Sequence, residues 1–405
     1  MMEGNSNSED VISGLQFNVD HPNPGIRRVR RLGFRPFRTF RIRYFDFLLL
    51  ILVAALNLCG IAAIGSAEPA LQSRQTAGMA AGMLLAVLIS GMDYHRVIRY
   101  YWGYYILNTV LLSAVLLFGS SGGGAQRWFA LGPILFQPSE AAKILLILFY
   151  AQFIMKYKDK IRSFPMIAAC LLLAAVPALL IYEQPDLSTT IMIFIIFCVM
   201  MFVGGISWKL VLGVLAVAVP SAAVIFNVIL QEGQTLFNEY QRDRVLAWLH
   251  PEEYKDTIAY QTMNSIMAIG SGRLLGKGYN TNEISSLLNS GYISESQTDF
   301  IFTVIGEEFG FIGTCLVVIL ILLTAIELFR VAMRASDVSG RVIAAGVGAW
   351  VGFQGFMNIG VATGVIPNTG IPLPFVSYGL SSLLSLYMGI GFVLNVNMQS
   401  HRRKY

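Results

Sequence analysis

Charged residues are scarce: Asp, Glu, Lys and Arg make up 13% of the 405 residues, against about 25% in a soluble domain. With 55% hydrophobic residues, too little polar side chain is left to clothe a water-soluble core, so a polytopic membrane protein is indicated. Cysteine is limited to Cys59, Cys170, Cys198 and Cys315, each inside an apolar run. That excludes a disulfide framework and any cysteine metal-ligand spacing. The four histidines, His21, His95, His250 and His401, are scattered and form no ligand set, so no metal held by protein side chains alone is expected. A nucleotide-binding P-loop is missing too. In GSGRLLGKG (270–278), Ser271 stands at the first glycine position and Gly278 replaces the magnesium-binding hydroxyl. The loop keeps Arg273 and Lys277, and glycine-rich backbone of this kind can cradle a phosphate. No signal-peptide apolar region with a cleavage site occurs in the first 44 residues, so the first span is expected to be an uncleaved anchor. No internal repeat points to a transporter built from two halves.

What the chain has in abundance is long apolar runs. Those able to span a bilayer lie near 45–65, 76–92, 100–118, 137–156, 164–182, 187–205, 208–230, 300–329, 342–366 and 376–397. The expectation is an all-α polytopic membrane protein with about ten transmembrane helices and both termini cytoplasmic. With that orientation twenty-one basic residues fall on the inner side, seven on the outer, and Lys143 within a span. Residues 1–44 form an Arg-rich cytoplasmic tail, expected to be mobile and to meet anionic lipid rather than nucleic acid. Helices one to seven occupy 45–230, an extracytoplasmic loop occupies 231–299, helices eight to ten occupy 300–398, and 399–405 is a short basic tail. The 231–299 loop is too long for a simple connector. Its YQRDRVLAWL and YQTMNSIMAIG stretches carry apolar residues at helical spacing and are expected to lie along the interface.

Acids stand out against this background. Asp299 opens the eighth span, and Glu307 and Glu308 lie within it. A carboxylate at the bilayer centre costs roughly 2.5–3.5 kcal/mol on insertion scales, so each needs a reason. Asp299 reads structurally as a first-turn helix acid. Glu307 lies two turns on and shares its face, where it can line a cavity. Glu308 points about 100° away, into the bundle, and calls for a basic or hydroxyl partner. Other polar spots accompany the outer loops: Arg127, Glu140 and Lys143 in GAQRWFALGPILFQPSEAAK, Asp186 as an N-cap in EQPDLSTT, and the broken backbone of PNTGIPLPFVSYG with Ser377. Irregular backbone at membrane depth persists only in protein or beside a cavity. Together these segments describe one polar, cation-rich cavity opening outward with an acid beside it.

QPSEAAK, EQPDLSTT, the YQ…AIGSG…GKG stretch, TDFIFTVIGEEFGFIG and NTGIPLPFVSYG resemble the SEDS family (shape, elongation, division and sporulation) of RodA, FtsW and SpoVE. The resemblance runs from about residue 45 to the end and leans to a RodA-like or sporulation-type member. It implies a bacterial inner-membrane peptidoglycan glycosyltransferase, active on the extracytoplasmic side. Such an enzyme polymerises lipid II alongside a class B penicillin-binding protein and other elongation, division or sporulation membrane proteins. The family's essential aspartate falls on Asp299. Three positions depart from the family pattern: Leu380 within Ser377–Ser381, Arg273 after the G-S-G, and Ile293-Ser294-Glu295 before the aspartate.

The chemistry follows from the substrate that the resemblance implies. Its sugar leaves on a diphosphate, so no acid is needed for the leaving group, and one base plus cations suffices. Asp299 is expected to be the base. Arg127, Lys143, Arg273 and Lys277 are expected to hold the diphosphate, with Glu140, Asp186, Glu307 and Ser377 completing the substrate site. A divalent ion, magnesium or manganese, would enter bridged by substrate oxygens. Two alternative readings from other classes are a lipid II flippase and a non-catalytic scaffold of a cell-wall synthase.

Overall fold

The computed structural model describes residues 42–122, 125–131, 134–208, 212–213, 216, 220, 224, 227–228, 239–254, 259–281, 286–288 and 290–400. Helix α1 (Phe47–Ala67) is capped by Asp46, whose carboxylate accepts from the Leu49 amide at 3.0 Å. A single residue separates it from α2 (Pro69–Ser90), which opens on a proline. The expected span at 76–92 therefore begins seven residues earlier. Its polar first turns stay helical because Gln75 donates to the Ser377 carbonyl at 3.2 Å and Gln72 to the Ile61 carbonyl at 3.4 Å.

A short helix, α3 (Tyr94–Val97), leads into α4 (Tyr101–Phe118). Three strands follow: β1 (Ser120–Gly122), β2 (Ala125–Leu131) and β3 (Ile134–Phe136). They form an antiparallel sheet in the order β1-β2-β3, with Ser120 opposite Trp128 and Phe129 opposite Phe136. This sheet sits in the 119–139 loop of an otherwise helical chain. The helices α5 (Pro138–Lys156), α6 (Phe164–Tyr182) and α7 (Leu187–Val203) come next. The expected seventh span at 208–230 lies largely outside the described residues, as do the tails 1–41 and 401–405. Beyond it are α8 (Glu239–Leu249), α9 (Tyr260–Ser271), α10 (Ile301–Arg334), α11 (Val338–Ala362) and α12 (Leu380–Ser400). Among the described residues, seven helical segments are long and apolar enough to cross a membrane: α1, the α3–α4 run, α5, α6, α10, α11 and α12. The protein is a polytopic all-α membrane protein.

Of these seven, α5, α11 and α12 are both the most buried and the least apolar. Helices facing lipid must be apolar, whereas interior ones carry the polar groups and satisfy them on each other. Thus Asn57 of α1 donates to the Tyr387 hydroxyl of α12 at 3.2 Å. At the start of α11, Asp337 accepts from the Tyr94 hydroxyl at 2.8 Å and meets His95 Nε2 at 2.7 Å.

The acidic helix differs from expectation in a way that matters. Helix α10 is interrupted at Gly310, with φ 63° and ψ −158°. In an unbroken helix the Phe311 and Ile312 amides would bond to the Glu307 and Glu308 carbonyls. Here those carbonyls accept from the amides of Lys277 (2.9 Å) and Gly278 (3.0 Å). The Phe311 and Ile312 amides donate instead to the carbonyls of Arg273 (2.8 Å) and Leu274 (3.2 Å). The glycine-rich loop is thus spliced into the helix, and its backbone replaces the missing bonds. Residues 311–334 beyond the break are about 36 Å long at 1.5 Å per residue, enough to cross the hydrocarbon unaided. Glu307 and Glu308 lie on the short piece before the crossing, which removes the cost of a mid-bilayer carboxylate.

Gly310→Ala should destabilise the protein by about 1–3 kcal/mol or more, because only glycine tolerates that backbone region. The added carbon would also stand 2.4 Å from the Gly276 nitrogen. Thermal unfolding in detergent measures it, and an unchanged melting temperature would show that the break relaxes.

Candidate active site

Asp299 sits in the turn before α10, at the end of the bundle opposite Asp337. The turn is drawn in by the Thr298 and Phe300 amides, which donate to the Glu295 carbonyl at 3.1 and 3.3 Å. Two side chains one turn apart on α11 hold the surroundings. Asn358 donates to the carbonyls of Asp299 and Ile371, both at 2.7 Å, and Gln354 to the Pro372 carbonyl at 2.9 Å. Ser377 donates to the Thr298 carbonyl at 2.6 Å and accepts from the Leu373 amide at 2.7 Å. Its hydroxyl therefore joins the 371–379 loop to the aspartate turn. Gly370, at φ 68°, lies against the carboxylate: a Cβ there would be 3.3 Å from Asp299 Oδ2.

Two arginines and a second aspartate surround the carboxylate. Arg127 extends from β2 and donates to the carbonyls of Gln184 (2.9 Å) and Pro185 in the α6–α7 turn. Asp186, in the same turn, caps α7 by accepting from the Thr189 amide and hydroxyl, each at 3.0 Å. Ser188 then ties α7 to the Thr369 carbonyl. Arg244 comes from α8 and donates to the Asn368 carbonyl at 3.0 Å. Burial, aided by Glu295 and Asp186 and opposed by Arg244 and Arg127, raises the Asp299 carboxyl to about 6. A carboxyl at 6 is ionised at neutral pH yet basic enough to take a proton. Around it, Asn358 Oδ1, Asn368 Oδ1 and Thr369 Oγ1 are buried with no partner among the described residues. Buried polar atoms without a protein partner are ordinarily satisfied by an ordered water.

The other candidates lie elsewhere. Lys143, on α5, is buried against Gln354 of α11, one helical turn from Asn358, with its ammonium 2.7 Å from Glu140 and 2.8 Å from Gln354. Lys143, expected to hold a diphosphate, is here paired with Glu140, as a full charge removed from water requires. Lys277 and Glu307 form an ion pair at 2.7 Å, and Glu307 also accepts from the Leu287 and Leu288 amides at 2.9 and 3.2 Å. Glu307 is fully buried and does not line a cavity beside Asp299. The amides of Lys277 and Gly278 are committed to the helix break, so the 270–278 loop is a splice and not a phosphate cradle. Arg273 is exposed on that loop, and its carbonyl serves the same break. Glu308 accepts from the Ser66 hydroxyl and from the Asn280 amide at 3.1 Å.

This burial pattern sets the ranking of two substitutions. Glu307→Gln should lower the melting temperature more than Glu308→Gln, because it strands Lys277 as well as weakening two amide bonds. A Lys277→Met/Glu307→Gln double variant should recover part of the loss. Melting curves of the purified variants decide it, and the opposite ranking would contradict these contacts.

Sequence reasoning missed Arg244. Its signal was present in YQRDRVLAWL, whose two arginines interrupt an otherwise interfacial pattern, but nothing local showed which loop they would face.

In this polytopic membrane bundle the partly buried Asp299 carboxylate lies within electrostatic reach of Arg127 and Arg244, at one end of a polar interior. The chain belongs to the FtsW, RodA and SpoVE family of cell cycle proteins, whose family model matches residues 39–402. It is 35% identical over 364 residues to the peptidoglycan glycosyltransferase MrdB of Escherichia coli K12, covering 89% of this chain and 95% of that one. It is 32% identical to the probable peptidoglycan glycosyltransferase FtsW of Aliivibrio salmonicida, covering 87% and 89%. Among solved structures, a chain of a peptidoglycan synthase complex of polymerisation and crosslinking superposes with a TM-score of 0.73 at 31% identity, covering 88% and 99%.

Proposed function

We propose that this chain is a peptidoglycan glycosyltransferase that polymerises lipid II, with Asp299 as the general base. The observation that carries the reading is the partly buried Asp299 carboxylate, on which both Arg127 and Arg244 act electrostatically. The names of its relatives support the same reaction. Asp299 accepts the proton of the acceptor GlcNAc 4-hydroxyl as that oxygen bonds to the donor's anomeric carbon. The bond from that carbon to the diphosphate oxygen breaks, and its electron pair leaves on undecaprenyl diphosphate. Displacement from the opposite side turns the α-linked donor into a β-linked strand. Arg127 and Arg244 stabilise charge as it gathers on the leaving diphosphate.

No group of three or more His, Cys, Asp or Glu able to hold a metal stands together among the described residues. A divalent ion, magnesium or manganese, would enter with the substrate diphosphate and be held largely by its oxygens. The reading also puts the protein in the bacterial inner membrane with the site on the extracytoplasmic side. Its partner would be a class B penicillin-binding protein, as the synthase-complex neighbour suggests. Incubating the purified protein with labelled lipid II, alone and with that partner, tests the activity; glycan ladders in neither would refute it.

The raised Asp299 pKa adds a pH dependence. Only the carboxylate takes a proton, so the polymerisation rate should fall as pH drops through about 6 and level off above it. A pH–rate profile under saturating lipid II measures this, and a rate unchanged down to pH near 4.5, well below that value, would rule Asp299 out as the base.

A further inference from the structure

Beside the site lies a cavity of about 240 Å³ between α8, α9 and the Gly364–Asn368 stretch. Arg244 and Asn368 stand at its polar end, and Trp248, Met263, Ile266 and Ile366 are among its apolar walls. Trp248 is fixed there by donating to the Gly364 carbonyl at 3.0 Å. Ile266, Met267 and Val365 are exposed around it, so the cavity continues onto apolar surface. We infer that this cavity takes the first isoprene units of the donor lipid, with Arg244 on the diphosphate that joins them to the sugar.

The assignment rests on the reading of Asp299 as base and follows from where the groups of the two substrates must lie. The base touches the attacking hydroxyl, which is in bonding reach of the donor's anomeric carbon, and that carbon bears the donor's diphosphate. The acceptor's own diphosphate is a whole disaccharide away from its 4-hydroxyl. Arg244 is bonded to the Asn368 carbonyl, two residues from Gly370, which packs against the Asp299 carboxylate, so it stands on the side where the donor's diphosphate lies. The planar guanidinium matches phosphate oxygens, and the apolar walls match the chain attached to them. The volume is below the roughly 300–1,000 Å³ of a pocket enclosing a drug-sized ligand. It holds the start of the chain and leaves the rest to the bilayer.

The test uses undecaprenyl diphosphate carrying a diazirine on its first isoprene unit, with the Asp299→Asn protein in nanodiscs. Photolabelled peptides are mapped by mass spectrometry. Label should fall on α8 and α9 around Trp248 and Met263 and be displaced by unlabelled undecaprenyl diphosphate. Filling the cavity with Met263→Trp, or Thr262→Trp should the first variant not fold, should reduce the yield about ten-fold. Leu117→Trp, on the exposed face of α4, should not. Arg244→Gln should weaken labelling by the diphosphate and leave labelling by the matching undecaprenol unchanged. Label confined to other helices, or unchanged when the cavity is filled, would overturn the inference. The probe carries no sugar, so a labelled cavity in a protein unable to polymerise lipid II would reject the glycosyltransferase reading while leaving this site standing.

Discussion

Asp299→Asn is expected to lower lipid II polymerisation by roughly 10²- to 10⁴-fold, the usual contribution of a positioned general base. The amide fills the same space, and the contacts that hold the turn run through backbone: Asn358 donates to the Asp299 carbonyl and Ser377 to that of Thr298. Stability should move the other way. The folded protein raises the Asp299 pKa to about 6, above the unfolded value of about 3.9, so it holds this proton more tightly than the unfolded chain does. The stability linked to the group is full below the unfolded value and declines as pH rises through about 6. At neutral pH the charged form is a net cost, and the neutral Asn variant should melt at the same temperature or higher. Activity and melting measured on one preparation distinguish a lost base from a lost fold.

Lys143→Ala should have the largest effect on stability, about 3–5 kcal/mol, because it leaves Glu140 charged and buried without its partner. Gln354 would lose a donor as well, though it keeps the Trp350 indole at 2.7 Å. Replacing both ions with apolar residues of similar size, Glu140→Leu with Lys143→Met, should restore most of the loss, since a buried pair contributes little net energy over good packing. Melting temperatures of the single and double variants measure this. A stable, inactive Lys143→Ala protein would return the residue to substrate binding.

Much of the fold was legible because bilayer thickness imposes a length on each apolar run, and nearly every expected span among the described residues matches a helix within a few residues. The exceptions have local causes. The sheet of β1 to β3 was overlooked because its strands are three to seven residues long. The early start of α2 depends on partners for Gln72 and Gln75 that lie far away in sequence. The break at Gly310 was hidden because glycine inside an apolar helix is common, and only the distant 273–278 backbone shows why this one is required.

At the site, Asp299 and Arg127 stood out by residue type and position, and the structure brings them to the same end of the bundle. The partners of Lys143, Lys277 and Glu307 were not legible, since a cation near an outer loop looks alike whether it faces an acid or a cavity. Pairing is settled in three dimensions: Glu140 takes the first and Glu307 the second. Arg244 was lost for the converse reason, because an interfacial helix gives no hint of the loop against which it packs.

The proposed role of Asp299 as the base of lipid II polymerisation is measured most directly with wild-type and Asp299→Asn protein side by side, at equal folded concentration, with lipid II as the sole sugar and the products resolved by gel. The wild type should give a ladder of chains and the variant unreacted lipid II; ladders of equal length and rate from both would contradict that role.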